Sequence, residues 1–198
     1  MLARRQACDR PEQGTTMLEV LVTIVILAFG MLGLAGLQSK IFTAEMESYQ
    51  RAQAVLLMND MVERINANRG AAATYVLSPA SATLGTGDAQ PADCSSVAAG
   101  VARDQCEWSN ALKGAAETSG TTKVGAMIGA LGCVRQIQAE NAAAGVCTPG
   151  IYLVTVAWQG LTPTSIPSAT CGAGTFGSDE RLRRALSARV SIGLPSCQ

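Results

Sequence analysis

One uncharged apolar segment restricts this chain more than any other feature of its sequence. Val20 to Leu37 runs for 18 residues without a charged side chain, and that length is the lower limit for a helix that crosses the hydrocarbon core of a bilayer. The first 14 residues contain three arginines, at positions 4, 5 and 10, against Asp9 and Glu12. Because Lys and Arg favour the cytoplasmic side of a membrane, we expect the amino end in the cytoplasm and the remainder outside.

Two common kinds of membrane segment fit this pattern in part. A conventional secretory signal would be cut after the apolar run, near Gly33 to Gly36, where small residues are frequent. A signal anchor would stay uncut and keep Cys8, which leaves an odd number of cysteines. Neither accounts for Glu19, because a carboxylate beside an apolar run costs about 3 kcal/mol or more inside a bilayer. Glu19 therefore needs a positively charged partner.

The cysteines indicate an oxidising compartment. Only 4% of the residues are aromatic, so an exported domain has few large side chains with which to fill a core. If a leader containing Cys8 is removed, six of the seven cysteines remain, an even set suited to disulfides. The sequence alone does not select a pairing, and we predict bridges between nearest neighbours: Cys94 with Cys106, Cys133 with Cys147, and Cys171 with Cys197.

The composition disfavours catalysis, metal binding and nucleic-acid binding. The chain has no histidine, which is the commonest general base in enzymes. It also has no CxxC pair, so the usual ligands of a zinc site are missing. Its formal net charge is +0, unlike the basic surface typical of nucleic-acid-binding proteins. The glycine-rich segments lack the GK[ST] ending of a phosphate-binding loop. We therefore expect no cofactor, no metal and no enzymatic activity.

Two charged groups near the carboxyl end permit alternative interpretations. Asp179 and Glu180 could bind calcium, but the alternating oxygen ligands of a calcium loop are missing, so we interpret them as a solvated acidic pair. The neighbouring arginines could contact DNA or a partner subunit, but a solvated strand face is the simpler interpretation. These arginines are Arg181, Arg183, Arg184 and Arg189.

The segment Gly14 to Glu19, GTTMLE, followed by the apolar run resembles the type IV prepilin signature. The resemblance implies that prepilin peptidase cuts between Gly14 and Thr15 and methylates the new amino terminus. It also implies that Glu19, the fifth residue of the mature chain, pairs with the amino terminus of a neighbouring subunit in the filament. Independently, one helical turn separates Thr15 from Glu19, so the new amine also lies within pairing distance of the carboxylate.

A second resemblance concerns the subfamily. The segment FGMLGLAGLQ, with Gly30, Gly33 and Gly36, and the segment Gly150 to Gly160, GIYLVTVAWQG, are similar to minor pilins of the PilV type, also called type IV pilus modification proteins. The chain departs from the usual pilin pattern at two positions. Most pilins have phenylalanine where this chain has Thr15, and major pilins usually have a proline where this chain has Gly36. The first of these departures bears on the methylation of Thr15.

Periodicity predicts an α+β fold of the pilin-like roll type. Apolar residues recur at helical spacing as far as Ile65, so we expect one long helix from Thr16 to about Asn68. Residues 70–105 show no sustained period, and a short helix is expected between 110 and 132. Alternation at 133–138 and 186–192 and the β-rich composition of 151–158 predict three antiparallel strands packed on the helix.

These expectations define three regions and one function. Residues 1–14 form a cytoplasmic leader that is removed, 15–68 form the long helix with a transmembrane part at about 18–38, and 69–198 form a disulfide-stabilised head. The function expected is that of a minor pilin in the priming or tip complex of a type IV pilus, with roles in adhesion and twitching motility. A minor pseudopilin of type II secretion and, remotely, an anchored periplasmic enzyme are the alternatives.

The expected partners and location follow from the resemblance. The partners are other minor pilins, the major pilin, prepilin peptidase, the inner-membrane assembly platform, and a host or surface ligand for the head. The chain is expected as a single-pass protein of the bacterial inner membrane with a periplasmic head, and afterwards in the extracellular pilus.

Overall fold

The computed structural model describes residues 16–79, 81–115, 118–119, 122–123, 127–143 and 145–194. Its first element is a single α-helix, α1, at Met17–Ala67, one residue shorter at each end than expected. A short 3₁₀ helix follows at Arg69–Tyr75. The chain divides into two compact units, of which the first ends at Ala44 and the second, the head, begins at Glu45.

The head contains a four-stranded antiparallel sheet with the strand order β1-β4-β5-β6. Its long strands are β4 at Ile128–Gln138, β5 at Gly150–Gln159 and β6 at Arg183–Ile192. These confirm the three predicted strands, although β4 begins earlier than expected. The edge strand β1, at Leu84–Gly85, pairs with the middle of β4.

Two smaller elements complete the head. The strands β2 and β3, at Thr118–Ser119 and Thr122–Lys123, form a separate antiparallel pair. Helix α2 spans Val101–Leu112, so the prediction of an irregular segment through 105 and a helix only after 110 was wrong. The small and polar residues that precede this helix, at 94–100, are typical of irregular structure, and the first turns of α2 were assigned to the same segment.

The main core of the head lies between one face of the sheet and the two helices. Helix α1 contributes Ala54, Met61 and Ile65, all fully buried, at spacings of seven and four residues that place them on one face of a helix. From the sheet, alternate residues of β5 point to the same side. These are Tyr152, Val154, Val156 and Trp158.

Trp108 of α2 joins the helices and the sheet. It is fully buried, and its indole Nε1–H donates a 2.8 Å hydrogen bond to the Leu57 carbonyl of α1. Its ring lies against the backbone of β4 at Gly132, where an added Cβ would stand only 2.2 Å from the Trp108 ring. A side chain larger than hydrogen therefore does not fit at Gly132 without displacement.

Of the three predicted disulfides, the structure contains the Cys94–Cys106 bridge and contradicts the other two. Cys133 is bonded to Cys171, at a Cα–Cα distance of 5.9 Å. This bridge lies on the sheet face opposite α1, in a second apolar cluster that includes Leu131 and Phe176. It fixes the β5–β6 connection across the sheet.

The position of Cys133 within its strand explains this outcome. Strand β4 continues for five residues beyond it, to Gln138, and Cys133 lies opposite Thr155 of β5. At roughly 3.3 Å per residue, that places the end of β4 about 16 Å away, whereas the two Cα atoms of a disulfide are within about 7 Å. Cys147, in the β4–β5 connection, is itself disulfide-bonded, and Cys197 lies outside the described residues.

Candidate functional site

The first compact unit presents an apolar helical surface. Helix α1 is long and apolar enough to cross a membrane by length and composition, and none of its most apolar stretch is buried within the chain. The exposed side chains include Val20, Leu21, Ile24, Leu27, Phe29, Met31, Leu32, Leu34 and Leu37. Exposed apolar area of this extent is unfavourable in water, so this surface is suited to a bilayer or to packing against other apolar helices.

Three glycines interrupt this surface. A Cβ added at Gly30, Gly33 or Gly36 would meet no atom within 4 Å, so no packing inside this chain requires glycine at these positions. Their spacing of three residues puts them near one another on one side of α1. Small residues arranged in this way permit close approach of another helix.

Glu19 lies in the first turn of α1 and is exposed. Its backbone N–H donates a 3.0 Å hydrogen bond to the Thr16 carbonyl, and its carboxylate forms no ion pair with any residue that the structure describes. Gly14 and Thr15, the residues of the predicted cut, lie outside the described residues. An acidic side chain in the first turn is favourable for the helix dipole, but its charge is left without a counter-charge within residues 16–79.

In the head, Glu47 of α1 holds the start of the β5–β6 connection. Its Oε1 accepts hydrogen bonds from the backbone N–H groups of Leu161 and Thr162, at 3.1 and 3.0 Å, and from the Thr162 hydroxyl, at 2.8 Å. Arg184 donates to the same oxygen from Nη2 at 3.1 Å. Burial raises the pKa of Glu47, but these hydrogen bonds and the Arg184 charge outweigh it and hold that pKa below its ordinary value.

Arg184 has a structural role rather than the solvated position expected from the sequence. In addition to Glu47, it donates to the carbonyls of Thr162 and Arg181. Its guanidinium lies across the backbone at Gly160, where a Cβ would stand 2.6 Å from Cζ. Sequence reasoning missed this contact because Glu47 and Arg184 are 137 residues apart.

Arg183 also contradicts the prediction of a solvated strand face. It is 3% exposed, and its guanidinium donates to Glu180 at 2.7 Å and to the carbonyls of Pro167, Ala169 and Cys171. A buried guanidinium is stable only when its donors are satisfied, and here one carboxylate and three carbonyls satisfy them. Arg189 is exposed, as predicted.

The predicted acidic pair is likewise part of this connection. Glu180 accepts the bond from Arg183 and a second from the Gly174 N–H. Asp179 forms an ion pair with the exposed Arg181 at 3.0 Å. Among the described residues, no three Cys, Asp or Glu side chains are grouped in a way that could hold a metal ion. The β5–β6 connection, residues 160–182, is therefore fixed by Glu47, Arg183 and the Cys133–Cys171 bridge.

The far end of α1 is joined to α2 by a charge cluster. Arg64 contacts Asp60 at 3.0 Å, Asp104 at 3.1 Å and Glu107 at 2.7 Å. The hydroxyl of buried Tyr75 donates to Asp104, and burial together with that hydrogen bond raises the pKa of Tyr75 to about 12. The spacing of Asp60 and Arg64 is readable from the sequence, whereas the contacts with α2 are not.

These elements define a class of protein. A long amino-terminal helix, with its carboxyl half packed on a small antiparallel sheet and with a disulfide-bounded connection, is the α+β fold of pilins.

Comparison with known protein families agrees with this fold. Residues 36–149 match the family described as Type IV pilin Tt1218, and residues 9–35 match the prokaryotic N-terminal methylation motif. The chain therefore belongs to this type IV pilin family, which is a structural rather than an enzymatic one. No curated protein and no solved structure matches the chain significantly.

Proposed function

We propose that this chain is a minor pilin of the PilV type, which enters a type IV pilus through the amino half of α1. The observation that carries the proposal is the exposed apolar surface of α1, which extends from Met17 through Leu37 and holds the charged Glu19 near its start. Such a surface suits a bilayer before assembly and a bundle of apolar helices after it. The match to the methylation motif supports the same role.

In this proposal, prepilin peptidase removes residues 1–14 and leaves Thr15 as the new amino terminus, which the same enzyme methylates. The new terminus carries a positive charge beside Glu19. In the filament, Glu19 pairs with the amino terminus of the neighbouring subunit, because an unpaired carboxylate among apolar helices is costly. The pairing favours one axial position of the incoming subunit over others.

The chain is proposed to reside first in the bacterial inner membrane, with a cytoplasmic amino end and with residues 69–198 in the periplasm. It then passes to the pilus through the assembly platform, beside the major pilin and other minor pilins. A role in priming or at the pilus tip would expose the head to surfaces, and it would link the protein to adhesion and twitching motility. We propose no catalytic activity for it.

The incorporation of a Glu19→Ala variant tests this function. We expect normal membrane levels of this variant but at least about tenfold less of it in sheared pili. Glu19 is the only acidic residue of the apolar half of α1, and loss of a paired charge in an apolar site costs roughly 3 kcal/mol or more. Glu45→Ala is the matched control, since Glu45 is an exposed glutamate of the same helix and its loss should leave incorporation unchanged.

Two results would contradict the proposal. Recovery of Glu19→Ala in pili at the wild-type level would refute the role of the carboxylate. If the wild-type chain is recovered with the pseudopilus of type II secretion and never with pili, the chain is a pseudopilin of that system rather than a subunit of a type IV pilus.

A further inference from the structure

A cavity of about 390 Å³ opens in the head between α1 and the start of β6. Helix α1 contributes Glu47, Ser48 and Arg51 to its walls, and β6 contributes Arg184–Leu186. Trp158 of β5 also lines it. All of these residues belong to the second compact unit.

The cavity carries a positive charge that the described part of the chain does not neutralise. Arg51 is exposed and forms no hydrogen bond or ion pair with any described residue. Glu47 stands four residues earlier, where a helical ion-pair partner would be. Its carboxylate is instead bonded to Leu161, Thr162 and Arg184, so it compensates Arg184 and leaves Arg51 unpaired.

A tryptophan also lines the cavity. The Trp158 side chain is 3% exposed, and its indole N–H donates to no residue that the structure describes. By contrast, the other tryptophan, Trp108, has an acceptor in the Leu57 carbonyl. A tryptophan N–H that no protein group accepts is left to solvent, so an acceptor that enters the cavity would take the place of water at this donor.

The geometry points to a carboxylate as the group that this cavity binds, carried by an acidic segment of a neighbouring pilin subunit. The unpaired groups of the cavity, the Arg51 guanidinium and the Trp158 indole N–H, are donors without acceptor capacity, and a carboxylate only accepts. Ala185 and Leu186 supply apolar contact for the stem of an aspartate or glutamate.

The choice of a neighbouring subunit rests on the proposed function, because heads of pilins stand beside one another in a filament. A cavity of about 390 Å³ is larger than one carboxylate, so residues that flank the acidic side chain would enter with it. Contacts of this kind would let the head select an acidic partner in addition to the pairing that Glu19 provides at the other end of α1.

Photocrosslinking in assembled pili tests this inference. The probe is p-benzoylphenylalanine at position 48, where Ser48 is exposed at the cavity wall, and crosslinked peptides are identified by mass spectrometry of sheared pili. We expect a crosslink to a pilin peptide that contains Asp or Glu. Arg51→Glu should lower its yield about tenfold, the scale of one lost charge-assisted hydrogen bond.

Two further variants make the result specific. Arg189→Glu is the matched control, because Arg189 is an exposed arginine of β6 outside the cavity, and its crosslink yield should equal that of the parent. Trp158→Phe keeps an aromatic ring and removes the N–H, and it should lower the yield as well. Non-reducing peptide mapping of the Cys133–Cys171 bridge verifies that this variant is folded.

The outcomes separate the two proposals. If the unsubstituted chain is found in pili and the yield does not respond to Arg51→Glu, the carboxylate site is wrong while the pilin function stands. A crosslink to a peptide without an acidic residue, or to a molecule that is not a pilin, also overturns the site. If the unsubstituted chain is absent from pili, both proposals fail.

Discussion

Replacement of Gly132 by alanine should destabilise the head more than its single methyl group suggests. The added Cβ would stand 2.2 and 2.4 Å from two ring atoms of Trp108 and 2.7 Å from a methyl of Leu112. Trp108 cannot simply turn away, because it is fully buried and its N–H is bonded to the Leu57 carbonyl. The strand is also fixed, since Gly132 is paired on both sides.

Overpacking of a core costs typically 1–3 kcal/mol, and we expect a value near the upper end, roughly 3 kcal/mol. For a unit of this size, each kcal/mol lowers Tm by about 2–4 °C, so Gly132→Ala should lower Tm by about 6–12 °C. Near-ultraviolet circular dichroism of the full chain in detergent follows the tryptophan environment during heating.

Gly70→Ala is the matched control, because a Cβ at Gly70 meets no atom within 4 Å, and its Tm should equal that of the wild type. An unchanged Tm for Gly132→Ala would refute the close packing of Trp108 on β4. An equal fall in Tm in both variants would indicate a general effect of replacing glycine rather than a clash with Trp108.

Two further predictions concern the β5–β6 connection. Cys171→Ser should reduce the free energy of unfolding by about 2–4 kcal/mol in urea titrations, and equal stability would argue against the Cys133–Cys171 bridge. Glu47→Gln should cost about 1 kcal/mol near neutral pH. The folded pKa of Glu47 is below its ordinary 4.5, so this stabilisation is present above pH 4.5 and is lost as pH falls through the folded pKa. If the difference in free energy of unfolding between wild type and Glu47→Gln grew in acid, this prediction would be contradicted.

The elements with a sustained pattern were predictable from the sequence. Apolar spacing to Ile65 predicted α1 to within one residue at each end. The β-rich segment 151–158 predicted β5, and alternation predicted β6. Helix α2 was placed too late in the chain, since the small residues before it, at 94–100, carry no pattern that marks where a helix begins.

The candidate site was predictable only where its residues are close in sequence. The apolar run and Glu19 belong to one short segment, so the pilin signature could be recognised directly. The contact of Glu47 with Arg184 joins residues 137 positions apart, and the burial of Arg183 depends on carbonyls of a connection without regular structure. Nearest-neighbour pairing was correct for Cys94 and Cys106 but wrong for Cys133, because β4 places Cys133 five residues before the connection that holds Cys147 and the fold brings Cys171 beside it.

Mass spectrometry of the amino-terminal peptide from purified pili tests the central claim most directly. If the amino half of α1 drives assembly after removal of a leader, the chain is present in pili and its first peptide begins at Thr15, with Glu19 as the fifth residue. A chain that begins after Gly36, or one that still carries Cys8, would contradict this account.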